Sequence, residues 1–228
     1  LVLNHLDLYI GIYKQYQKKW LKMSRQLLPN IGFVKNKLNS KALNKLKSYI
    51  KNKKDKANSN LAGNLSNSFY LKDKNNWFFN NVLMPLINEY GEDNIKAIVP
   101  RVLTKNCRYI LSEMWVNYQN KYEFNPTHNH TGVYSFVVWL EIPSSYQKEK
   151  KLNFIKESNS PCPNTFEFVY TNTLGRVCSE QFHLEPEDEG TILLFPATLI
   201  HQVYPFYLSN KQRVSVSGNI ALNPEQII

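Results

Sequence analysis

The chain has 228 residues, of which 43% are hydrophobic and 13% aromatic, so it can build a core and does not have the composition of a disordered protein. This length predicts one large domain, or one domain with an N-terminal extension. The formal net charge is +10 at pH 7, and the longest apolar runs are strand-length, which predicts no membrane span.

The positive charge is concentrated near the N-terminus. Residues 14–56 contain 14 basic residues and one acid, Asp55, whereas the rest of the chain has 14 basic and 17 acidic residues. Such a segment can bind nucleic acid or another polyanion. It is also typical of a solvated helix face, and no nucleic-acid-binding motif accompanies it, so we favour the solvated face and keep nucleic-acid binding as the alternative.

Helices are predicted before residue 100. Apolar residues recur at helical spacing over residues 42–50, after an N-cap at Ser40. A second helix is predicted over residues 75–91, bent or broken near Pro85. The Gly- and Asn-containing segment between them, residues 59–71, predicts a loop with a short strand.

After residue 100 the pattern changes to strands rich in aromatic and β-branched residues. A long polar insertion is expected between Pro143 and Gly190. Short strands in succession predict a mainly β, α+β fold: a cupin-like double-stranded β-helix, or jelly roll, with supporting N-terminal helices. We expect a basic helical extension over 1–59 and a barrel domain over 60–228, flanked by the helix 75–91. The predicted strands are 109–119, 133–142, 152–155, 165–171, 191–196, 200–206 and 213–222.

The three cysteines and the N-terminal segment bear on location. The cysteines show no CxxC spacing, so neither a disulfide framework nor a zinc knuckle is indicated. The N-terminal segment carries His5 and Asp7 among its apolar residues and lacks the cleavage site of a signal peptide. We therefore expect a reducing, cytoplasmic setting.

A His-x-His pair opens one of the predicted strands. His128 and His130 project to the same side of an extended segment, because residues i and i+2 share a face. His201 follows 71 residues later, on a strand that a jelly roll can place alongside. Any one of these histidines alone is more often bonded to backbone, but together they predict three imidazoles on one metal ion.

A basic residue follows this set. Arg213 lies 12 residues after His201, and Ser215 shares its face of the next strand. A guanidinium presents planar paired donors that match a carboxylate, and a hydroxyl adds one more donor. Inside a small barrel an arginine needs an anion, and no carboxylate of the chain is an obvious partner. A bound organic acid is therefore predicted.

The order His-x-His, long gap, His, then Arg-x-Ser resembles the 2-oxoglutarate and Fe(II)-dependent dioxygenases. Within them the chain looks most like prolyl-hydroxylase-like oxygenases of marine and T-even-type bacteriophages, which would place it in the bacterial host cytoplasm. The resemblance rests on "MWVNYQNKYEFNPTHNHTGVYSFVVWLEIP", "GTILLFPATLIHQVYPFYLSNKQRVSVSGNI" and "NLAGN", and spans residues 60–222.

The resemblance implies roles for particular residues. His128, His130 and His201 would be the iron ligands, and Arg213 with Ser215 would bind the far carboxylate of 2-oxoglutarate. Many hydroxylases of this class place a cosubstrate-binding tyrosine at the position of Tyr118. The strand neighbour Asn117 points the other way, so only one of the two can serve. Trp115, Tyr134 and Trp139 are aromatic residues that could line the pocket.

One departure from the family pattern concerns the second ligand. That position usually holds Asp or Glu, and here it holds His130. Three neutral ligands leave the site one unit more positive, which should change the iron's redox potential.

The sequence therefore predicts an Fe(II)- and 2-oxoglutarate-dependent dioxygenase that hydroxylates a C–H bond, with 2-oxoglutarate and O₂ as small-molecule partners. Two alternatives stay open: a three-histidine iron oxygenase that uses no 2-oxo acid, and a non-enzymatic metal-binding barrel of a phage. A prolyl peptide, a free amino acid, a nucleobase or a glycan would all fit as the substrate.

Overall fold

Two antiparallel sheets form the framework of the computed structural model, which describes residues 32–53, 55–91 and 107–227. The strands are β1 Val34–Lys37, β2 Asn67–Tyr70, β3 Cys107–Gln119, β4 Asn125–His128, β5 Tyr134–Glu141, β6 Thr165–Thr171, β7 Val177–His183, β8 Thr191–Pro196, β9 Ile200–Val203 and β10 Arg213–Ile227. The larger sheet has the order β1-β8-β5-β10-β3-β2, and the smaller has the order β4-β9-β6-β7. The predicted jelly roll is confirmed.

Alternation along the strands creates two hydrophobic layers. On β5, Val137 and Trp139 pack between the two sheets, together with Phe166 and Phe168 of β6. The other face of β5, including Val138, packs on a second cluster formed with the helices. Both faces of β5 are therefore covered, which explains its continuous apolar run.

The helices are α1 Ser40–Ile50, α2 Met84–Tyr90 and α3 Tyr146–Glu149, with 3₁₀ turns at Asn58–Asn60, Lys74–Asn76 and Pro186–Asp188 and a π-helical segment at Phe79–Leu83. α1 and α2 cover the outer face of the larger sheet, whereas Tyr146 of α3 stacks on His183 of β7 in the smaller sheet. None of the helices in the described part of the chain is long and apolar enough to cross a membrane.

The two predicted N-terminal helices are present, with local differences. The N-cap of α1 is Asn39 and not Ser40, because the Asn39 side chain accepts a hydrogen bond from the Ala42 N–H at 2.9 Å. The predicted break near Pro85 takes the form of the π-helical segment, after which Pro85 lies in the first turn of α2.

One predicted strand is wrong, and three observed strands were not predicted. Residues 152–155 form turns, in which the N–H groups of Ile155 and Lys156 both donate to the Leu152 carbonyl. The unpredicted strands are β1, β4 and β7. Most of their residues are half-buried or exposed, so they lack the apolar pattern that identifies a strand.

Part of the predicted extension belongs to the barrel. β1 pairs with β8, and α1 buries Leu46 and Tyr49 in the cluster beneath the larger sheet. All described residues lie in one compact unit, Ile31–Ile228. The more N-terminal part of the extension, with much of the basic segment, lies outside the described residues.

Candidate metal centre and anion pocket

Strand pairing brings the three histidines together. His128 is the last residue of β4, and its Cα is paired with that of His201 on β9. His130 follows two residues later and is held by its backbone N–H, which donates to the Ala197 carbonyl at 2.8 Å. Gly132 then turns the chain into β5 with a φ of 107°.

The imidazoles converge on one point. The candidate ligand nitrogens of His128, His130 and His201 all lie within 4.8 Å of one another. The Nε2 atoms of His130 and His201 are 3.2 Å apart. Among the described residues, no carboxylate joins this cluster. The donor set is therefore three nitrogens, as expected from the sequence, and imidazole nitrogen suits iron as well as zinc, copper and nickel.

Backbone carbonyls decide which nitrogen each ring offers. His128 Nδ1 lies 2.7 Å from the Pro126 carbonyl oxygen, and His201 Nδ1 lies 2.8 Å from that of Leu199. A carbonyl oxygen only accepts, so Nδ1 carries the proton in both rings. Nε2 is then left with its lone pair, which is the arrangement by which outer hydrogen bonds orient metal-binding histidines.

The site keeps its imidazoles neutral. Burial lowers the pKa of His130 to about 4 and that of His201 to about 3, and the nearby His128 adds to both shifts. The pKa of His128 is also lowered by burial, against a hydrogen bond to Pro126 that raises it. A metal ligand must be deprotonated, so these rings are in the binding form at neutral pH.

A single cavity connects the histidines with Arg213. Trp115 and Trp139 line it, as the sequence suggested, whereas Tyr134 packs in the cluster beneath the larger sheet. Ser215 lines it beside Arg213. The full lining is Leu61, Ala62, Gly63, Leu65, Trp115, Asn117, Gln119, Asn125, His128, His130, Phe136, Val137, Trp139, Phe166, Phe195, His201, Val203, Arg213, Ser215 and Ser217.

Arg213 is buried, with 2% of its surface exposed. Its Nε and Nη2 donate to Gln119 Oε1 at 3.1 and 2.6 Å, Nη1 donates to Asn164 Oδ1 at 2.8 Å, and Nη2 also donates to the Tyr204 carbonyl at 2.9 Å. All these partners are uncharged. A buried cation with uncharged partners is costly, which favours an anion in the cavity.

Glu149 is a buried carboxylate that acts electrostatically on Arg213, and the sequence did not reveal it. Burial lowers the pKa of Arg213, and the negative charge of Glu149 opposes that shift. Glu149 is fully buried, and its carboxylate accepts hydrogen bonds from the Ser144 hydroxyl and from the N–H groups of Tyr207 and Leu208. Glu149 therefore stabilises the charged form of Arg213 by its negative charge, without a direct hydrogen bond to the guanidinium.

Tyr118 is the predicted site residue that the structure does not bring to the cavity. It lies on the helix-covered face of β3, packs edge-on against Phe69 at 6.2 Å between ring centroids, and receives a hydrogen bond from the Lys53 ammonium. The cosubstrate contact expected of Tyr118 does not fit this position. Its neighbour Asn117 lines the cavity instead.

Sequence reasoning missed Gln119 and Asn164, both partners of Arg213. The signal for Gln119 was present, because Trp115, Asn117 and Gln119 alternate along β3 and share one face. Asn164 precedes β6 and carries no comparable pattern, so only the tertiary structure could identify it.

Comparison with known proteins agrees with this geometry. Residues 113–219 match the family of putative 2OG-Fe(II) oxygenases, where 2OG denotes 2-oxoglutarate. No curated protein matches the chain at a significant level.

Several solved structures are similar to the chain. A prolyl-4-hydroxylase from Pseudomonas putida is 11% identical over 85% of this chain and 94% of that chain, with a TM-score of 0.45. A 2OG-Fe(II) oxygenase-family oxidoreductase from Burkholderia pseudomallei is 13% identical over 83% and 85%, with a TM-score of 0.47. HygX from Streptomyces hygroscopicus, solved with nickel and 2-oxoglutarate bound, is 11% identical over 85% and 83%, with a TM-score of 0.43.

The matched segment contains the three convergent histidines, Arg213 and Ser215. The phage origin expected from the sequence stays a prediction. Over residues 113–219, the chain is similar to the putative 2OG-Fe(II) oxygenases.

Proposed function

We propose that the protein is an Fe(II)- and 2-oxoglutarate-dependent dioxygenase that hydroxylates a C–H bond of its substrate. One observation carries the proposal: three neutral imidazoles converge in a cavity that also reaches a buried arginine bonded to uncharged groups. The first feature fits a metal ion, and the second fits the far carboxylate of a 2-oxo diacid.

The ligands of the iron would be His128, His130 and His201, each through one ring nitrogen. Arg213 would bind the far carboxylate of 2-oxoglutarate, and Ser215 would add a hydroxyl donor from the same strand. Ser215 is the direct cross-strand partner of Asn117, so these two polar side chains stand beside each other on the cavity wall. Tyr118 has no role in this proposal.

When bound, Fe(II) and 2-oxoglutarate supply the oxidising chemistry, in which O₂ is consumed, the oxo acid is converted to succinate and CO₂, and a substrate C–H bond becomes C–OH. The chain's own residues bind and orient these groups. Four aromatic side chains of the wall limit the access of water: Trp115, Trp139, Phe166 and Phe195.

The lining of the cavity bears on the class of substrate. The cavity offers aromatic walls and amide and hydroxyl groups, which suit a peptide side chain and also other small polar molecules. We propose that the hydroxylated C–H bond belongs to a peptide or to another small or macromolecular substrate.

Succinate release tests the proposal. Purified protein with Fe(II), 2-oxoglutarate and O₂ should convert 2-oxoglutarate to succinate and CO₂, slowly without substrate and faster with it. A protein that binds iron but releases no succinate under any of these conditions would contradict the proposal.

Arg213→Met tests the anchor for the cosubstrate. The variant keeps much of the stem volume and removes the charge and the donors. It should raise the KM for 2-oxoglutarate by about one to three orders of magnitude, because a charge-assisted hydrogen bond contributes ~1.5–3 kcal/mol and ~1.4 kcal/mol is tenfold. Iron affinity, measured by calorimetry, should barely change. Unchanged 2-oxoglutarate turnover would remove Arg213 from the proposal.

A second candidate function is a three-histidine iron oxygenase that uses no 2-oxo acid, such as a thiol oxidiser. It is favoured by the donor set, since no described carboxylate joins the histidines. In that case Arg213 would bind the carboxylate of the substrate itself. O₂ consumption with a thiol substrate and without 2-oxoglutarate would identify this alternative.

A further inference from the structure

The hydrogen bonds of Arg213 leave little of its guanidinium for a ligand. A guanidinium has five N–H donors. Nε–H and one Nη2–H donate to Gln119, the other Nη2–H donates to the Tyr204 carbonyl, and one Nη1–H donates to Asn164. Within the described residues, one N–H, on Nη1, is left. The bidentate pair expected from the sequence therefore cannot form while these bonds are kept.

Gln119 occupies the edge that would otherwise form the bidentate pair. Its single carbonyl oxygen accepts from both Nε and Nη2, which is the side-on edge that usually binds a carboxylate. The side chain is 5% exposed and lines the cavity. The Gln119 side chain thus occupies the position at which a ligand carboxylate would otherwise bind the guanidinium.

The orientation of Gln119 is set from its other end. Its Nε2 donates to the Glu123 carbonyl, so Oε1 is the atom that faces Arg213. Glu123 is held in turn, because its carboxylate accepts from Asn120 N at 2.7 Å and from Ser66 N at 2.9 Å. The Gln119 amide is therefore fixed on both sides, and with it the plane of the guanidinium.

We propose that Gln119 is a positioning residue for the acid cosubstrate: it holds Arg213 so that a single guanidinium nitrogen, Nη1, binds the far carboxylate, with the Ser215 hydroxyl as the second donor. This inference rests on the proposed function. A single fixed donor defines one distance from the metal centre to the far carboxylate. The position of Arg213 then discriminates between diacids that differ by one methylene group.

The uncharged state of residue 119 is essential to this arrangement. A glutamate there has the same shape, but its carboxylate would pair with Nε and Nη2 and neutralise the cation. The cavity would then have no free positive charge for a ligand anion, and a carboxylate would approach another carboxylate.

Calorimetric binding of 2-oxoglutarate to the Fe(II)-loaded protein without O₂ tests the proposal. Gln119→Glu should weaken binding by at least ~100-fold, because the attraction of a buried charge is lost. Iron affinity should be unchanged. Gln147→Glu is the matched control: it changes the net charge equally at an exposed position of α3, and binding should stay as in the unsubstituted protein.

Gln119→Leu tests positioning separately from charge. The guanidinium keeps its charge but loses its fixed plane, so 2-oxoglutarate should bind ~3–30-fold more weakly, as after loss of about one hydrogen bond or two. The ratio of the Kd values for 2-oxoadipate and 2-oxoglutarate should also move toward one. A merely structural glutamine would change the melting temperature and leave this ratio as it was. If Gln119→Glu does not fold, the binding data for Gln119→Leu alone test the positioning role of Gln119.

Arg213→Met distinguishes a failure of the proposed function from a failure of the positioning role of Gln119. If it abolishes 2-oxoglutarate binding while both Gln119 variants bind normally, the inference is overturned and the proposed function stands. If Arg213→Met itself binds 2-oxoglutarate normally, the anchor and the inference fail together. Weak binding by all three variants, with Gln147→Glu unaffected, supports both.

Discussion

At the scale of single residues, the metal centre depends on which nitrogen each histidine presents. Carbonyls two residues before His128 and His201 take the Nδ1 protons of these rings. The i, i−2 relation is local, so the same short segment supplies both the ligand and the group that orients it. The three rings are then brought together by pairing of β4 with β9 and by the loop after β4.

His201→Ala should abolish Fe(II) binding, with a loss larger than the 10–100-fold typical for removal of an outer hydrogen-bond partner. The fold should persist, because His201 also packs against the apolar rings of Phe166 and Phe195, at centroid distances of 5.6 and 5.0 Å. Calorimetry and circular dichroism would measure both effects. His183→Ala is the control: His183 stacks on Tyr146 at 3.8 Å, away from the cluster, and its loss should leave iron affinity intact.

The metal-free protein should lose stability in mild acid. The pKa of His130 is about 4 and that of His201 about 3 in the fold, against an ordinary value of 6.5. Between the lowered pKa of each histidine and 6.5, the unfolded chain therefore binds more protons than the folded protein. The stabilising contribution is complete above pH ~6.5 and is lost as the pH falls toward 4, by on the order of a few kcal/mol.

Urea unfolding of the metal-free protein at pH 7, 6, 5 and 4 would measure this dependence. His201→Gln, which cannot titrate, should show a shallower decline. A free energy of unfolding that stays constant over this range in the unsubstituted protein would contradict the predicted shifts.

At the scale of elements, β3 and β10 determine what the cavity contains. Their direct pairing sets Asn117 opposite Ser215 and Gln119 opposite Arg213. The intervening residues, Val116 and Val214 among them, face the helices. A shift of one residue in this register would exchange the polar cavity wall for the apolar face.

The turn between β4 and β5 has little space. A Cβ on Gly132 would lie 2.7 Å from the Ile220 carbonyl oxygen, and φ there is 107°. Gly132→Ala should therefore destabilise the protein by more than ~2 kcal/mol and lower iron affinity, since His130 is two residues away. Gly175→Ala is the control: φ is 77° with nothing within 4 Å, so only the conformational cost of ~1 kcal/mol is expected. Equal losses in the two variants would argue against the steric clash.

At the scale of the whole molecule, the barrel includes residues before position 60. Leu46 of α1 is fully buried, whereas Lys47 beside it is exposed. Leu46→Ala should cost ~2–5 kcal/mol of unfolding free energy, and Lys47→Ala less than ~0.5 kcal/mol. Thermal unfolding of both variants tests this. A negligible effect of Leu46→Ala would mean that α1 is an appendage, as the boundary at residue 59 implied.

Two described lysines of the basic segment contact aromatic rings of the chain itself. Lys53 lies 3.8 Å from the Tyr118 ring centroid, and Lys45 lies 5.6 Å from that of Trp77. In both cases the ammonium group itself lies over the ring, which is a cation–π contact within the protein. Nucleic-acid binding through residues 14–56 stays a prediction; it would require an affinity that falls steeply with added salt.

The sequence by itself determined the strands with strong alternation and the residues with metal-binding and anion-binding chemistry. β6 and β8 were predicted to the residue, and β3 and β5 to within two residues at either end, because their apolar pattern is a local property. The start of β10 was also predicted, but the strand continues five residues beyond the predicted end. The convergence of His128, His130 and His201 was also predictable, since the spacing of the first two fixes their common side.

Only the tertiary structure decided which face of β3 lines the cavity and what holds Arg213. Alternation separates Asn117 from Tyr118 but does not say which face the helices cover. The edge strands β1 and β7 pair with β8 and β6, and each adds only a half-buried apolar residue, Val34 or Phe182, to a hydrophobic cluster. Gln119 and Asn164 meet Arg213 across separations of 94 and 49 residues, and contacts of this kind depend on how the two sheets pack, which no local pattern encodes.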